Sequence, residues 1–531
     1  MSAVPTTGAP VPDATLLPHL AADLRAASFS ASDVERVLGP VAAGALDREQ
    51  TLPALRAARA QRGADEPLAV LVRLFLCGDE VPRREVDRAL ARLGADGGER
   101  LGVLVAAGAA DDDAVRAAVD LSPVGYEAPD GTPGTWFVTS DLGEALTGAA
   151  LRPDHVLGVG GASTTLARAT MRTPRGRTLD LGTGCGIQAL YAATHSEHVV
   201  ATDLSARALA FARFNAALAG TTLDLRQGSM LEPVVGEPGF DLVVSNPPFV
   251  ITPRAGGAGA APETPPAGLP LYEYRDGGRA GDDLVADLVR DVGSVLATGG
   301  VAQLLGNWEH RRGEPWTERV GSWLDRSGLD AWVVQREVLD PAEYAETWLR
   351  DGGQTSDRDA AGWDAAYGAW LDDFASRDVE AVGFGMLLLR RAEGAPTLRR
   401  VEEWTGPLRR PIGDHLAGAL RAHDWLVARD DDALARERLT VAADVTEERH
   451  LRPGAVDPTV VLLRQGGGFG RTVRAGTALA GLVGACDGDL AVGQVIGALA
   501  AILDVPADAL AAELLPQVRE LVRDGFLLPP V

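Results

Sequence analysis

Lysine is absent from the 531-residue sequence, so all 50 basic residues are arginine, and 74 aspartates and glutamates outnumber them. The formal charge of -24 argues against a chain that coats DNA or the ribosome, because sequence-independent affinity for phosphate is built from cationic contacts. A local arginine patch stays open. Cysteine is scarce: Cys77, Cys185 and Cys486 lie far apart with no CxxC pair, which argues against a disulfide framework or a cysteine zinc site. The one close histidine pair, His195 and His198, has no further candidate ligand nearby. It reads as a solvated helix end, and no metal is expected. Residues 1–15 carry no charge before Asp13 and have no apolar centre, unlike a signal peptide. No apolar run reaches the roughly 18–20 residues that span a bilayer. Together these point to a cytoplasmic chain without membrane contact.

What is present is an ordinary globular composition, 46% hydrophobic and 23% charged, which excludes disorder throughout. The length allows about two to four domains. Residues 1–145 read as a helical, winged-helix-like N-terminal domain. Ser32-Asp-Val-Glu35 fits a capping box, Gly39-Pro40 stops the first helix, and helices follow over 68–77, 83–93 and 100–107. Two strands, Ala114–Leu121 and Thr135–Thr139, then suggest a hairpin. The segment from Arg100 to Ala110 is mainly apolar and a poor groove reader, so a structural or dimerising module is the preferred reading.

Residues 146–410 alternate strands and helices, the mark of an α/β sheet. Seven strands are expected, at Thr178–Leu181, Val199–Thr202, Thr222–Gln227, Phe240–Ser245, Gly300–Leu305, Trp332–Leu339 and Ala381–Leu389. The Gly/Pro/Ala-rich stretch from Thr252 to Gly268 reads as a loop. Residues 411–531 read as a small α+β, winged-helix-like C-terminal domain. It has one strand at Val460–Leu463 and helices over 477–486, 492–502 and 508–524. In the last of these Leu510, Leu514, Val518, Leu521 and Val522 share one face. The pattern is similar to peptide-binding domains of modified-peptide biosynthesis, and packing against the catalytic domain accounts for it more simply.

Four motifs carry chemistry. The first is Thr178-Leu-Asp180-Leu-Gly182-Thr183-Gly184-Cys-Gly186, an apolar strand with an acid near its end, running through a glycine turn into a helix. Glycines admit close backbone approach to a ligand. The spacing is not that of a pyrophosphate loop, and Asp180 would repel phosphate. It suits a cationic ligand such as the amino group and sulfonium of S-adenosylmethionine. The second is Asp203, 23 residues on, at the end of the next strand, where a carboxylate can accept from both hydroxyls of a ribose. The third is Gln227-Gly228-Ser229-Met230, at the end of the third strand. The fourth is Phe240-Asp-Leu-Val-Val-Ser-Asn246-Pro247-Pro248-Phe249. Two prolines stiffen the backbone. The Asn246 carboxamide oxygen and the Pro247 carbonyl then present two acceptors suited to one planar NH2 group, and Phe249 can stack on a flat substrate. Holding both hydrogens aims the nitrogen lone pair at a methyl donor.

Residues 151–391 thus resemble a class I S-adenosylmethionine-dependent methyltransferase of the Asn-Pro-Pro-Tyr/Phe amino-methylating group. They are most similar to release-factor glutamine N5-methyltransferases and to the small methyltransferase domain shared with rRNA guanine-N2 enzymes. The resemblance implies a Rossmann-like, doubly wound seven-stranded sheet whose last two strands are antiparallel, and S-adenosyl-L-methionine as cofactor. It implies a cofactor loop of Asp180, Gly182, Thr183, Gly184 and Gly186, with Asp203 on the ribose and Leu204 beside it. Ser229 stands where an acid near the adenine amine is usual. Asn246, Pro247, Pro248 and Phe249 would hold the target nitrogen, Asn246 also facing the cofactor. Tyr272-Glu-Tyr-Arg-Asp-Gly-Gly278 resembles the glycine-rich segment that follows the loop in glutamine methyltransferases. Gly158-Val-Gly-Gly-Ala-Ser-Thr-Thr165 either faces the methionine end of the cofactor or is a plain turn and cap. Phenylalanine stands at 249 in place of the tyrosine usual in that subgroup.

The expected activity is N-methylation of a planar amide or amino nitrogen, with a protein or peptide acceptor (a glutamine-like amide) favoured by the acidic charge. A nucleobase exocyclic amine of RNA or DNA is the alternative. A cofactor-binding scaffold without catalysis and small-molecule N-methylation are further readings. The sequence says nothing of oligomeric state.

Overall fold

The computed structural model describes residues 8–128, 130–254, 269, 271–409 and 411–530. The stretch expected as a loop over 252–268 lies outside them from residue 255 onward. The chain divides into two compact units: residues up to Ala167 together with Pro174–Pro396, and Arg168–Thr173 together with Thr397 onward.

The first unit is organised around a twisted sheet. Its strands are β1 (Arg175–Leu181), β2 (Ser196–Asp203), β3 (Asp224–Gln227), β4 (Phe240–Ser245), β5 (Leu296–Arg311), β6 (Asp330–Leu339) and β7 (Val379–Arg390). All seven expected strands are present, several longer than the sequence suggests. The strands that this unit contributes to the large sheet run in the order β6-β7-β5-β4-β1-β2-β3. Strands β1 to β5 pair in parallel, and β7 pairs antiparallel with both β5 and β6. The order reverses between β1 and β4, and such a switch point opens a crevice at the carboxyl ends of the strands. The central strands are apolar because helices cover both faces: Leu179, Val200, Leu242, Val243 and Val244 are buried.

The helices on the sheet are α1 (Ile187–Ala193), α2 (Ala206–Leu218), α3 (Asp283–Asp291), α4 (Trp316–Ser327), α5 (Pro341–Asp351) and α6 (Ala360–Ser376). Helices α5 and α6, inserted between β6 and β7, have no counterpart in the sequence-based expectation. Pro341 opens α5 behind an Asp340 cap that accepts from Ala342 and Glu343 N–H, and Asp359 caps α6.

The N-terminal segments of this unit depart from expectation in three places. The cap of the second helix is Ser30, not Ser32: the Ser30 hydroxyl accepts from Asp33 N–H at 3.1 Å. Gly39-Pro40 interrupts that helix as expected: Gly39 leaves the helical region at φ 71° and ψ 165°, and a separate helical stretch runs on to Leu46. The helix expected over 100–107 is instead Gly94–Leu101, closed by left-handed Gly102, with β-branched Val105 in a strand at Leu104–Ala106. Finally, the expected hairpin forms with its first strand displaced along the chain, Leu121 facing Thr139. Ala114–Ala117 pairs with Leu104–Ala106 and Val81–Pro82, and Asp120–Glu127 pairs with Pro133–Ser140. One hydrophobic core joins these segments to the sheet's helices, from Leu24, Phe29 and Phe137 to Ile187, Leu190, Phe211 and Phe214.

The second unit holds a three-stranded antiparallel sheet, Val445–His450, Val460–Gln465 and Thr472–Ala475, with helices at Ile412–Val427, Thr477–Gly484, Val492–Leu503 and Ala507–Arg523. The apolar face of the last helix, with Leu510, Leu514, Val518, Leu521 and Val522, is buried as its period implies. Among the described residues no helix is long and apolar enough to cross a membrane.

Candidate active site

Strand β1 ends at Leu181 and the chain turns through Gly182, Gly184 and Gly186 at φ 71°, 54° and 88° before entering α1. All three lie in the left-handed region that an L side chain pays to enter, for two different reasons. A Cβ at Gly182 or Gly184 would meet open space, whereas one at Gly186 would sit 3.1 Å from Cα and Cβ of Ala212 in α2. The first two glycines leave room above the turn, and the third permits α2 to pack beneath it. Gly182 and Thr183 N–H both donate to the Thr202 carbonyl of β2 at 2.9 Å, which pins the turn to the neighbouring strand.

Asp180 is buried. Its Oδ2 accepts from the Thr183 hydroxyl at 2.5 Å and from Ala189 N–H at 2.9 Å, while Oδ1 has no partner among the described residues. Burial pushes the carboxyl up to about 7, two hydrogen-bond donors pull it back, and the charge of Asp203 adds to the rise. A cation that engaged Oδ1 would relieve both the desolvation and the missing bond.

Asp203 ends β2. Its Oδ2 accepts from Gly184 N–H and its Oδ1 from Ser205 N–H, both at 2.9 Å. Burial raises this carboxyl above its ordinary range, with the backbone donors opposing the rise. Each oxygen keeps a further lone pair. The cap of α2 is Ser205, whose hydroxyl accepts from Ala208 N–H, so Asp203 is not spent as a helix cap. Leu204 is 62% exposed, unusual for leucine, and stands next to it. Ser229, in the turn after β3, is exposed. The segment before β1 reaches α1 through Gln188, whose Nε2 donates to the Ser163 carbonyl at 2.7 Å.

Strand β4 delivers Asn246-Pro-Pro-Phe249. Ser245 is buried and its hydroxyl donates to the Leu181 carbonyl at 2.7 Å, so the ends of β1 and β4 are joined at the switch point. The Asn246 Oδ1 is buried and has no partner among the described residues. The Pro247 carbonyl, expected as a free acceptor, accepts from Phe249 N–H at 2.8 Å and keeps one lone pair. Phe249 is half-buried, bridges to Asp276 and meets Phe384 of β7 edge-on at 6.3 Å. After it, Val250 N–H donates to the Arg275 carbonyl at 2.8 Å, and Ile251 N–H to the Tyr344 hydroxyl at 2.9 Å. Sequence reasoning missed Tyr344, Asn307 and Phe384. Tyr344 and Phe384 reach the loop from distant segments, Asn307 donates to the Tyr344 hydroxyl at 2.9 Å, and no local pattern marks them.

Residues 158–256 match the methyltransferase small domain. Residues 26–118 and 417–529 each match a domain of unknown function (DUF7059 and DUF7782). The release factor glutamine methyltransferase of Deinococcus radiodurans is 41% identical over 136 residues, 25% of this chain and 46% of that protein. The release factor glutamine methyltransferase of Geobacter sulfurreducens is 37% identical over 127 residues, 23% of this chain and 42% of that protein. The chain thus spans less than half the length of these curated relatives. A solved 16S rRNA N2 G1207 methyltransferase of T. thermophilus, in complex with AdoMet and guanosine, aligns at TM-score 0.26 and 14% identity, covering 64% of this chain and 68% of its own. Over residues 158–256 the chain is similar to class I S-adenosylmethionine-dependent methyltransferases. In particular, it is similar to the release factor glutamine methyltransferases.

Proposed function

We propose that this chain transfers a methyl group from S-adenosyl-L-methionine to a planar amide nitrogen of a protein or peptide, of the kind a glutamine side chain presents. The observation that carries the reading is the buried Oδ1 of Asn246, which has no partner among the described residues. A buried acceptor without a donor costs roughly 1–3 kcal/mol, and a substrate NH2 group supplies the donor. The residues at the opposite lip of the switch point fit the cofactor: the unpartnered Asp180 Oδ1, the open space over Gly182 and Gly184, and the Asp203 carboxylate.

In this reading Asp180 holds the amino group, Asp203 the ribose hydroxyls, and Leu204 and Ser229 the adenine side. Thr183 fixes the Asp180 rotamer through its 2.5 Å bond. The bound cofactor supplies an electrophilic methyl on a sulfonium. Asn246 Oδ1 and the remaining lone pair of the Pro247 carbonyl take the two hydrogens of the target NH2 and turn its lone pair toward that methyl, while Phe249 lies against the amide plane. Pro248 holds the turn stiff. No strong base is needed, because the nitrogen loses its proton after it gains the methyl group. The outer modules over 1–145 and 411–531 are read as winged-helix-like modules flanking a catalytic domain over 146–410.

The acceptor class is tested by incubating cell extract with the enzyme and tritiated S-adenosylmethionine, then digesting with protease or nuclease. Label released by protease alone supports the proposal. Label released by nuclease alone replaces it with nucleobase methylation.

A further inference from the structure

The loop that follows Asn246 is held from one side by two groups outside the Asn-Pro-Pro-Phe motif itself. Tyr344, on the buried face of α5, accepts from Ile251 N–H at 2.9 Å and from the Asn307 Nδ2 of β5 at 2.9 Å. Its ring stacks on Phe384 at 5.6 Å, the residue that Phe249 meets edge-on. The opposite, C-terminal end of α5 holds the segment that carries Arg275. The Arg275 guanidinium donates to the Trp348 carbonyl at 2.6 Å and to the Asp351 carboxylate at 2.8 Å. Tyr272 donates to the Gly352 carbonyl at 3.0 Å. Orphan carbonyls and the negative end of the helix dipole favour a cation there. The Arg275 carbonyl in turn accepts from Val250 N–H at 2.8 Å.

One helix therefore reaches two consecutive backbone amides, Val250 and Ile251, just past Phe249, one through the Arg275 segment and one directly. Two prolines fix the loop internally, but they do not orient it against the sheet. We infer that Tyr344 and Arg275 are positioning residues that set the acceptor loop against a fixed α5, so that Asn246 Oδ1 meets the target NH2 at hydrogen-bonding distance. This rests on the proposed role of Asn246. Misplacement by about 1 Å is enough to cost a rate of order 100-fold.

Tyr344→Phe keeps the ring stack and deletes the hydroxyl. Arg275→Met deletes the cation at the helix end. Hydrogen exchange of the peptide over 246–254 reads the loop without any acceptor. Exchange at least about fivefold faster in Tyr344→Phe is expected from the loss of one hydrogen bond. S-adenosylmethionine affinity, by calorimetry, should stay within twofold of the parent. With tritiated cofactor and a synthetic glutamine-containing peptide, kcat should fall at least about tenfold while KM for the peptide changes little. Unchanged exchange and unchanged kcat in both variants would overturn the inference. If the parent labels no glutamine peptide while exchange rises as expected, the acceptor assignment fails and the positioning role stands.

Discussion

Asp203 and Gly184 are joined by a 2.9 Å hydrogen bond from the Gly184 N–H to the Asp203 carboxylate. The bond links the end of one strand to the glycine turn that follows its neighbour. Thr183, which precedes Gly184, donates its hydroxyl to Asp180 at 2.5 Å, so one turn is tied to both carboxylates.

The three glycines of that turn should respond differently to alanine. Each pays roughly 1–2 kcal/mol for an L residue at positive φ. Gly186→Ala also pushes a methyl to within 3.1 Å of Ala212 and should lower the melting temperature most. Gly182→Ala and Gly184→Ala, with no atom within 4 Å of the new methyl, should cost less stability and show their effect in weaker cofactor binding. Thermal melts paired with titrations separate the two behaviours.

Asp180 predicts a pH dependence with a definite sign. Its carboxyl is raised to about 7 in the folded chain from an ordinary value of 3.8. Between those values the folded state holds a proton that the unfolded chain has released, so this group's contribution to stability declines as pH rises through that window. Cofactor binding runs the other way. An ammonium donor on Oδ1 favours the ionised acid, so affinity should rise from pH 6 to pH 8, and binding at pH 6 should release a proton. Calorimetry in two buffers of different ionisation enthalpy measures that proton. Asp180→Asn should bind more weakly and release none.

Asn215 predicts a stability effect remote from chemistry. This buried side chain donates to the Thr139 and Cys185 carbonyls at 2.8 Å and accepts from the Thr139 N–H at 2.8 Å and hydroxyl at 2.7 Å. It ties the glycine turn to the strand Pro133–Ser140. Asn215→Ala strands several buried groups and should cost about 3 kcal/mol, read by urea denaturation, and should loosen the cofactor loop.

Asn246→Ala should abolish methyl transfer and leave S-adenosylmethionine affinity within about threefold, because Oδ1 serves the acceptor. A variant that still transfers methyl groups, scored by tritium release onto protein, removes Asn246 from its assigned role.

The strand, glycine turn and helix over 175–193 were legible in sequence because each step is local: an apolar run, obligate positive φ, then helix. The Asn-Pro-Pro turn was legible for the same reason. Tyr344 was not. It lies 93 residues from Ile251, and its role exists only because α5 and α6 fold back over the loop. The N-terminal hairpin was seen but its first strand was placed too early, since strand partners are a tertiary choice that alternation does not encode.

The central claim, that the edge formed by Asp180, the glycine turn and Asp203 holds S-adenosyl-L-methionine, is tested most directly by calorimetric titration of the cofactor into the parent chain and Asp203→Ala. The account predicts saturable one-site binding in the parent and affinity weaker by about 100-fold in the variant, the worth of two hydrogen bonds to a charged group, with the fold retained. No binding by the parent, or equal binding by both, would contradict it.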